Sequence, residues 1–279
     1  MDARKLMFIL IGFVCLISVI FIVYSEIYTI RPSQELVQNT SSQNVSDDKL
    51  STTEIINNFS SIFQNTINYQ GVTITNSNKI ENNKELVYTS YELNEQIPNK
   101  YNINVKIPAI NINTPNIINI NNEINAKFKN KVTNIIANSE STDFQMYDVE
   151  YMAYVNSNVL SLVIKATLKN GNSAQRVLVK TYNYSLSSGT EINFENALSL
   201  KGVSKIYATN KINETIKKAN EDSQTLKNLG YNVYTRDLNS DIYKLENTII
   251  FFFGENAKFY IIYPYGNTQE TSEMDVIVF

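Results

Sequence analysis

The sequence predicts an α+β domain of antiparallel sheets packed with two long helices, held outside the cell by a single N-terminal transmembrane helix. Three observations carry this: an apolar run from Leu6 to Tyr24, segments of strict two-residue alternation, and two long segments of 3.6-residue period.

The apolar run comes first. Its 19 residues would form a helix of roughly 28 Å, close to the ~30 Å hydrocarbon core of a bilayer. Arg4 and Lys5 precede it, while only Arg31 lies within a comparable distance on the far side. The positive-inside bias therefore predicts a cytoplasmic tail over residues 1–5, a span over 6–24 and an extracytoplasmic remainder, at the cell membrane. The exit Tyr24-Ser25-Glu26 offers no small-x-small cleavage site, which favours an uncleaved signal anchor. Cys15 follows the bulky Val14 inside the run and reads as a small apolar residue facing lipid.

Residues 25–53 are poor in bulky apolar side chains and rich in Ser, Asn, Gln and Thr. Such a stretch buries too little surface to offset its ordering entropy and reads as a flexible stalk. Order is expected over 54–279, with possible sub-units 54–189 and 190–279. Ser51-Thr52-Thr53-Glu54 has the spacing of a capping box, and Ile55, Phe59, Ile62, Phe63 and Ile67 follow at helical spacing. Val72 with Ile74, then Leu86 to Leu93, read as strands, and Tyr101, Ile103, Val105 and Ile107 alternate with polar residues up to Pro108.

Thr114-Pro115 is an N-cap and first-turn pair, opening a helix through Ile117, Ile120, Ile124, Phe128, Val132 and Ile135 to Asn138. Strands follow at Tyr147–Val155 and Leu160–Leu168, the second ending in a short hairpin at Asn170-Gly171. Arg176–Leu186 and Glu191–Phe194 complete an antiparallel meander, solvated on one face and covered by helix on the other. A second long helix is expected from Leu198 to a C-cap at Gly230, with a break near Asn220. Thr248–Phe253, Ala257–Tyr263 and Asp275–Phe279 read as a further small sheet.

Composition restricts the chemistry. The chain has no histidine, which removes Ser-His-Asp relays, Cys-His relays and imidazole shuttles. Its single cysteine lies in the apolar run, leaving the outer domain without a thiol nucleophile or a disulfide. The net charge of −3 comes from scattered charges without a basic stripe, so nucleic acid is not an expected partner. The excess of Asn, Ile and Lys is the codon signature of an AT-rich genome, such as that of a Gram-positive bacterium. Single asparagines and chance sequons such as Asn44-Val45-Ser46 therefore carry little weight.

Asp148 and Glu150, two apart on one strand face, are the only carboxylate pair with a spacing suited to acid and base work. Glu191 and Glu195 flank the next turn. A solvated outer face is the simpler reading, so no catalytic residue is nominated and no enzyme activity is expected. Asp237, Asn239 and Asp241 alternate like a calcium loop but lack its sixth-position glycine and twelfth-position glutamate, so no metal or other cofactor is expected. Tyrosine offers a large rigid contact with a polar tip. Tyr182 and Tyr184 share a strand face, and Tyr263-Pro264-Tyr265 reads as an exposed recognition loop. These four are the candidate partner-binding residues, against the alternative that they are simply good strand residues.

Three pieces of the chain carry a resemblance. They are Ile107-Pro108-Ala109-Ile110 leading into the Ile117–Asn138 helix, Thr181-Tyr182-Asn183-Tyr184-Ser185-Leu186-Ser187-Ser188-Gly189, and Ile262-Tyr263-Pro264-Tyr265-Gly266 with the strand Asp275–Val278. From Leu86 to Phe279 the chain resembles the paired extracytoplasmic domains of the lysozyme-sensing anti-sigma-V factor of Bacillus and of the N-terminal region of a peptidoglycan deacetylase. The resemblance implies a binding or sensing module in the cell envelope, with a lysozyme-like protein or peptidoglycan as ligand.

Two departures limit it. Asn170-Gly171-Asn172-Ser173-Ala174 lacks the family's histidine, and the five residues before the span are too few for the sigma-binding segment. No deacetylase domain follows the last strand. A structural subunit of an envelope assembly is the alternative reading, and an enzyme using carboxylates alone a third.

Overall fold

The computed structural model describes residues 78–140, 142–265 and 273–279. They all belong to one unit, Leu50–Phe279. The apolar run, the stalk, the Ile55–Ile67 helix and the Val72/Ile74 strand lie outside the described residues. Among those residues no helix is long and apolar enough to cross a membrane.

The fold is α+β. Strands β1 (Val87–Ile97), β2 (Tyr101–Ile110), β3 (Gln145–Asn156), β4 (Val159–Asn170), β5 (Arg176–Ser185) and β6 (Thr190–Glu191) form one sheet in sequence order. β7 (Phe251–Phe253), β8 (Phe259–Tyr265) and β9 (Glu273–Val278) form a second, antiparallel sheet. The expected meander is present, since β3 to β6 pair antiparallel throughout, but the sheet is not wholly antiparallel: β2 and β3 are parallel, with Tyr101 opposite Gln145 and Val105 opposite Val149. The helix between them is the reason: a parallel pair needs a crossover, and residues 115–138 supply one.

That crossover begins as its sequence dictates, with Thr114 accepting a hydrogen bond from the Ile117 N–H and Pro115 in the first turn. Helix α1 (Pro115–Ile124) passes through a π-helical turn, Asn125–Lys129, into α2 (Asn130–Asn138). Ile117, Ile124, Phe128, Val132 and Ile135 are buried against Ile103, Val105, Tyr147, Leu162 and Ile164 of the first sheet. One face of the sheet is thus sealed by helix, as its alternation predicts.

The expected long helix after Leu198 is instead two helices, α3 (Phe194–Lys201) and α4 (Lys205–Asn228). The break falls at Gly202 rather than near Asn220. Gly202 takes φ +73°, where a glycine avoids the Cβ clash, and Ser204 recaps the chain by accepting from the Tyr207 N–H. Phe194 opens α3 and does not end a strand, because Asn193 caps the helix through the Asn196 N–H. The Asn170-Gly171 signal also marks a longer connection than a two-residue hairpin, since β5 starts only at Arg176.

The second sheet separates two cores. Phe251, Phe253, Phe259, Ile261 and Tyr263 pack with Ala208, Ile212 and Ile216 of α4. Its opposite face presents Phe252, Ile262 and Met274 to Met152, Tyr154, Val163, Val177 and Val179 on the outer face of the first sheet. The layers run helix, sheet, sheet, helix. The outer face of the first sheet is therefore not wholly solvated, as its alternation alone had implied.

A polar seam joins the sheets. The Asn183 amide donates to the Phe251 carbonyl at 2.7 Å, the Phe253 N–H donates to Ser161 at 3.0 Å, and the Phe251 N–H donates to Thr181 at 3.3 Å. Ser161, Thr181 and Asn183 are buried polar residues that satisfy backbone groups of the short β7.

Candidate functional site

The second sheet covers only part of the outer face. Along β3 the outward positions run Asp148, Glu150, Met152, Tyr154, and along β4 they run Ser161, Val163, Lys165, Thr167. The covered part holds Met152, Tyr154 and Val163. Two residues further along each strand the side chains turn polar, and a groove of about 350 Å³ opens, lined by Asn104, Asp148, Glu150, Lys165, Thr167 and Gln175.

Strand register sets its geometry. Asn104 on β2 lies opposite Asp148 on β3, and Asp148 lies opposite Thr167 on β4. An amide, a carboxyl and a hydroxyl therefore stand in one row, spaced by adjacent strands at ~4.8 Å. In the next row Glu150 faces Lys165 and forms an ion pair with it. The Lys165 side chain is largely buried, at 13 % exposure, whereas that of Glu150 is half-exposed. Asp148 is half-buried, and its carboxyl makes no hydrogen bond or ion pair with any described residue. Burial pushes its carboxyl above the usual range; the Glu150 charge adds to the shift and Lys165 opposes it.

Sequence reasoning found Asp148 and Glu150 and their shared face. It missed Asn104, Lys165, Thr167 and Gln175, which come from two other strands and a loop. The available signal was the outward register of Lys165 and Thr167, two and four residues past the apolar Val163.

The four tyrosines nominated for partner binding are elsewhere, and all are buried. Tyr263 and Tyr265 are 3 % and 4 % exposed on β8, paired with Asp275 and Glu273 of β9, rather than in an exposed loop. The Tyr263 hydroxyl is 2.6 Å from Thr248 Oγ1, and burial pushes its ionisation up to about 12. Tyr265 donates to Glu273, and its ring lies 3.9 Å below the Arg236 guanidinium. Tyr184 is 3.2 Å from Thr114 Oγ1, and Tyr182 lies under the Lys180 ammonium at 5.1 Å. Rings with so little accessible surface cannot form a contact face, so the exposed-loop reading is corrected: these tyrosines are core residues, and the hydroxyls of Tyr184, Tyr263 and Tyr265 meet Thr114, Thr248 and Glu273.

A second charged cluster lies beside Tyr265. Arg236 and Asp275 are both buried, and the guanidinium Nε and Nη2 donate to the Asp275 carboxylate at 2.7–3.2 Å. Arg236 Nη1 also donates to the Ala219 carbonyl and to Ser223 on α4, and Tyr243 donates to Asp275 at 3.3 Å. Sequence reasoning missed this clasp, since Arg236 and Asp275 are 39 residues apart. Its groups are occupied by one another and tie α4 to β9.

The calcium-like alternation resolves into turn contacts. The Asn239 N–H donates to Asp237, and Asp241 pairs with Lys244 at 2.7 Å. Among the described residues no three His, Cys, Asp or Glu side chains group to hold a metal. Glu195 pairs with Lys205, and Glu191 is exposed on β6.

No protein-family model matches the chain, and no curated protein matches it by sequence. Its structural neighbours include two crystal structures from the DUF3298 family. One, from Pseudomonas aeruginosa, is 7 % identical with a TM-score of 0.39, over 65 % of this chain and 82 % of that one. The other, from Bacteroides fragilis, is 11 % identical with a TM-score of 0.30, over 64 % of this chain and 80 % of that one.

Proposed function

We propose that this chain is a membrane-anchored, extracytoplasmic binding module that holds a cell-wall component without chemistry of its own. Anchoring is supported by the Leu6–Tyr24 run with its basic N-terminal flank. Binding is supported by one observation above the rest, the groove at the open end of the sheet, where polar groups from three strands and a loop converge on a concave surface.

A wall component suits this site better than a lysozyme-like protein. The tyrosines that would have given a protein partner its anchors are buried, and protein hot spots need accessible aromatic or arginine side chains. A groove lined by amide, hydroxyl and charged groups suits a small polar ligand.

The test is titration of the full chain in lipid nanodiscs with soluble peptidoglycan fragments and, separately, with lysozyme. Saturable binding of the fragments is expected, weakened by Thr167→Trp, whose bulk would fill the groove. Binding of lysozyme alone would move the reading to a protein partner, and binding of neither would end it. A reporter fused after Phe279 is expected to be active outside the cell; a cytoplasmic signal would refute the anchor topology.

A further inference from the structure

The groove holds one carboxyl more than it can satisfy. Glu150 and Lys165 neutralise each other across the β3–β4 pair, whereas the Asp148 carboxyl, in the adjacent row, has no hydrogen-bonding partner among the described residues. Neutral hydrogen-bonding side chains flank it: Asn104 and Thr167 at the opposed strand positions, and Gln175 on the groove wall. The solvent-facing half of this carboxyl is left to water or to a donor brought by a ligand, and the second can add a compensating charge.

The chemistry of that donor is restricted. An anion would meet the Asp148 charge with Lys165 already committed to Glu150. A divalent cation would find a single free carboxyl, short of the oxygen set such ions take. A neutral ligand would take further solvent from the carboxyl and return no charge. A primary ammonium supplies three donors and a compensating charge in one group. A volume of about 350 Å³ is near the lower end of ligand pockets and fits one sugar ring or one amino-acid residue.

We infer that the groove is an ammonium subsite: it takes a primary amine next to hydroxyl or amide groups, with the amine on Asp148 and its polar neighbours on Asn104, Thr167 and Gln175. The inference rests on the proposed binding function and narrows its ligand. Two sources present this chemistry, the free amine of an amino sugar and the side-chain amine of a diamino acid.

The experiment titrates the full chain in nanodiscs, near neutral pH, with two matched pairs. Glucosamine is compared with N-acetylglucosamine, and Nα-acetyl-lysine with Nα,Nε-diacetyl-lysine. At least one amine is expected to bind about tenfold more tightly than its acylated twin, since a charge-assisted bond replaces a neutral one. The pair that discriminates identifies the source. Asp148→Asn, with its fold checked by thermal melting, is expected to erase the discrimination. The wild-type comparison needs no variant and stands if that substitution unfolds the chain.

Equal binding within both pairs would overturn the inference, as would discrimination that persists in folded Asp148→Asn. If peptidoglycan fragments bind while none of the four probes does, the ammonium subsite is refuted and the wall-binding function survives. If neither fragments nor probes bind, both fall.

Discussion

The two ends of the outer sheet face are built from the same strands and differ in what lies over them. At one end Met152, Tyr154, Val163, Val177 and Val179 are buried under Phe252, Ile262 and Met274. At the other, Asp148, Glu150, Lys165 and Thr167 border an open groove. The change takes two residues on each strand, from Met152 to Glu150 and from Val163 to Lys165. Because a strand presents every second residue to one face, the boundary of a covering layer is written as a switch from apolar to charged within one parity class. The groove is what remains where the smaller sheet stops.

The same contrast separates two aspartates. Asp275 and Asp148 are both pushed upward by burial. Asp275 is met by two guanidinium nitrogens and a tyrosine hydroxyl, which oppose that shift without cancelling it. Asp148 has no such partner. The first arrangement ties α4 to β9, and the second leaves a carboxyl facing the groove.

If the covered end is a true inter-sheet core, removing its largest ring should have the largest effect. Phe252 is fully buried and stacks on Tyr260 at 4.7 Å and Tyr154 at 6.0 Å. Phe252→Ala is expected to cost about 3–5 kcal/mol in denaturant unfolding. A loss below about 1 kcal/mol would mean that the second sheet barely packs on the first.

Arg236→Ala should cost a similar amount, about 3–5 kcal/mol, because it leaves Asp275 buried and unpaired. The double replacement Arg236→Met with Asp275→Leu removes both charges and should recover most of that loss. A double variant as unstable as the single would show that packing, not charge pairing, sets the cost.

Gly254 tests the edge of the seam. A Cβ there would lie 2.6 Å from Tyr260 Cε2 and 3.2 Å from Phe252 Cε2, so Gly254→Ala must displace the stacked pair. A loss of about 1–3 kcal/mol is expected, the ordinary range for overpacking. An unchanged melting temperature would show that the stack yields freely.

The smallest effect belongs to the open end and has a sign. A carboxyl whose folded pKa is raised binds more protons folded than unfolded. Stability then falls as pH rises from the unfolded aspartate value, near ~4, through the folded pKa, and levels off above it. The Asp148 charge therefore works against folding at neutral pH. Asp148→Asn should leave stability unchanged or raise it by less than about 0.5 kcal/mol, and should remove that part of the pH dependence. A clear loss of stability at neutral pH would reveal a native partner for the carboxylate and break the contrast with Asp275.

Much of the architecture is legible in the sequence, for a physical reason. Alternation at Tyr101–Ile107 and Leu160–Leu168, the Thr114-Pro115 helix start and the three late strands are local signals: each depends on side-chain periodicity and capping within a few residues. The α+β class follows from their order. By the same logic Asp148 and Glu150 could be placed on one face from their spacing alone.

What the tertiary structure decided are relations between distant segments. No local pattern states that β2 and β3 run parallel, or that β7–β9 pack on the outer face and stop at Met152. Nor does any pattern pair Arg236 with Asp275. The tyrosines show the limit most clearly. Tyr263 and Tyr265 beside Pro264 and Gly266 have the local features of an exposed turn, and only the packing of α4 and Tyr243 against β8 and β9 makes them core. Periodicity says which face of an element is apolar. Which partner covers that face, and how far along the strand, is a sum of contacts over the whole chain, and it is this sum that leaves Asp148 open and closes over Tyr263.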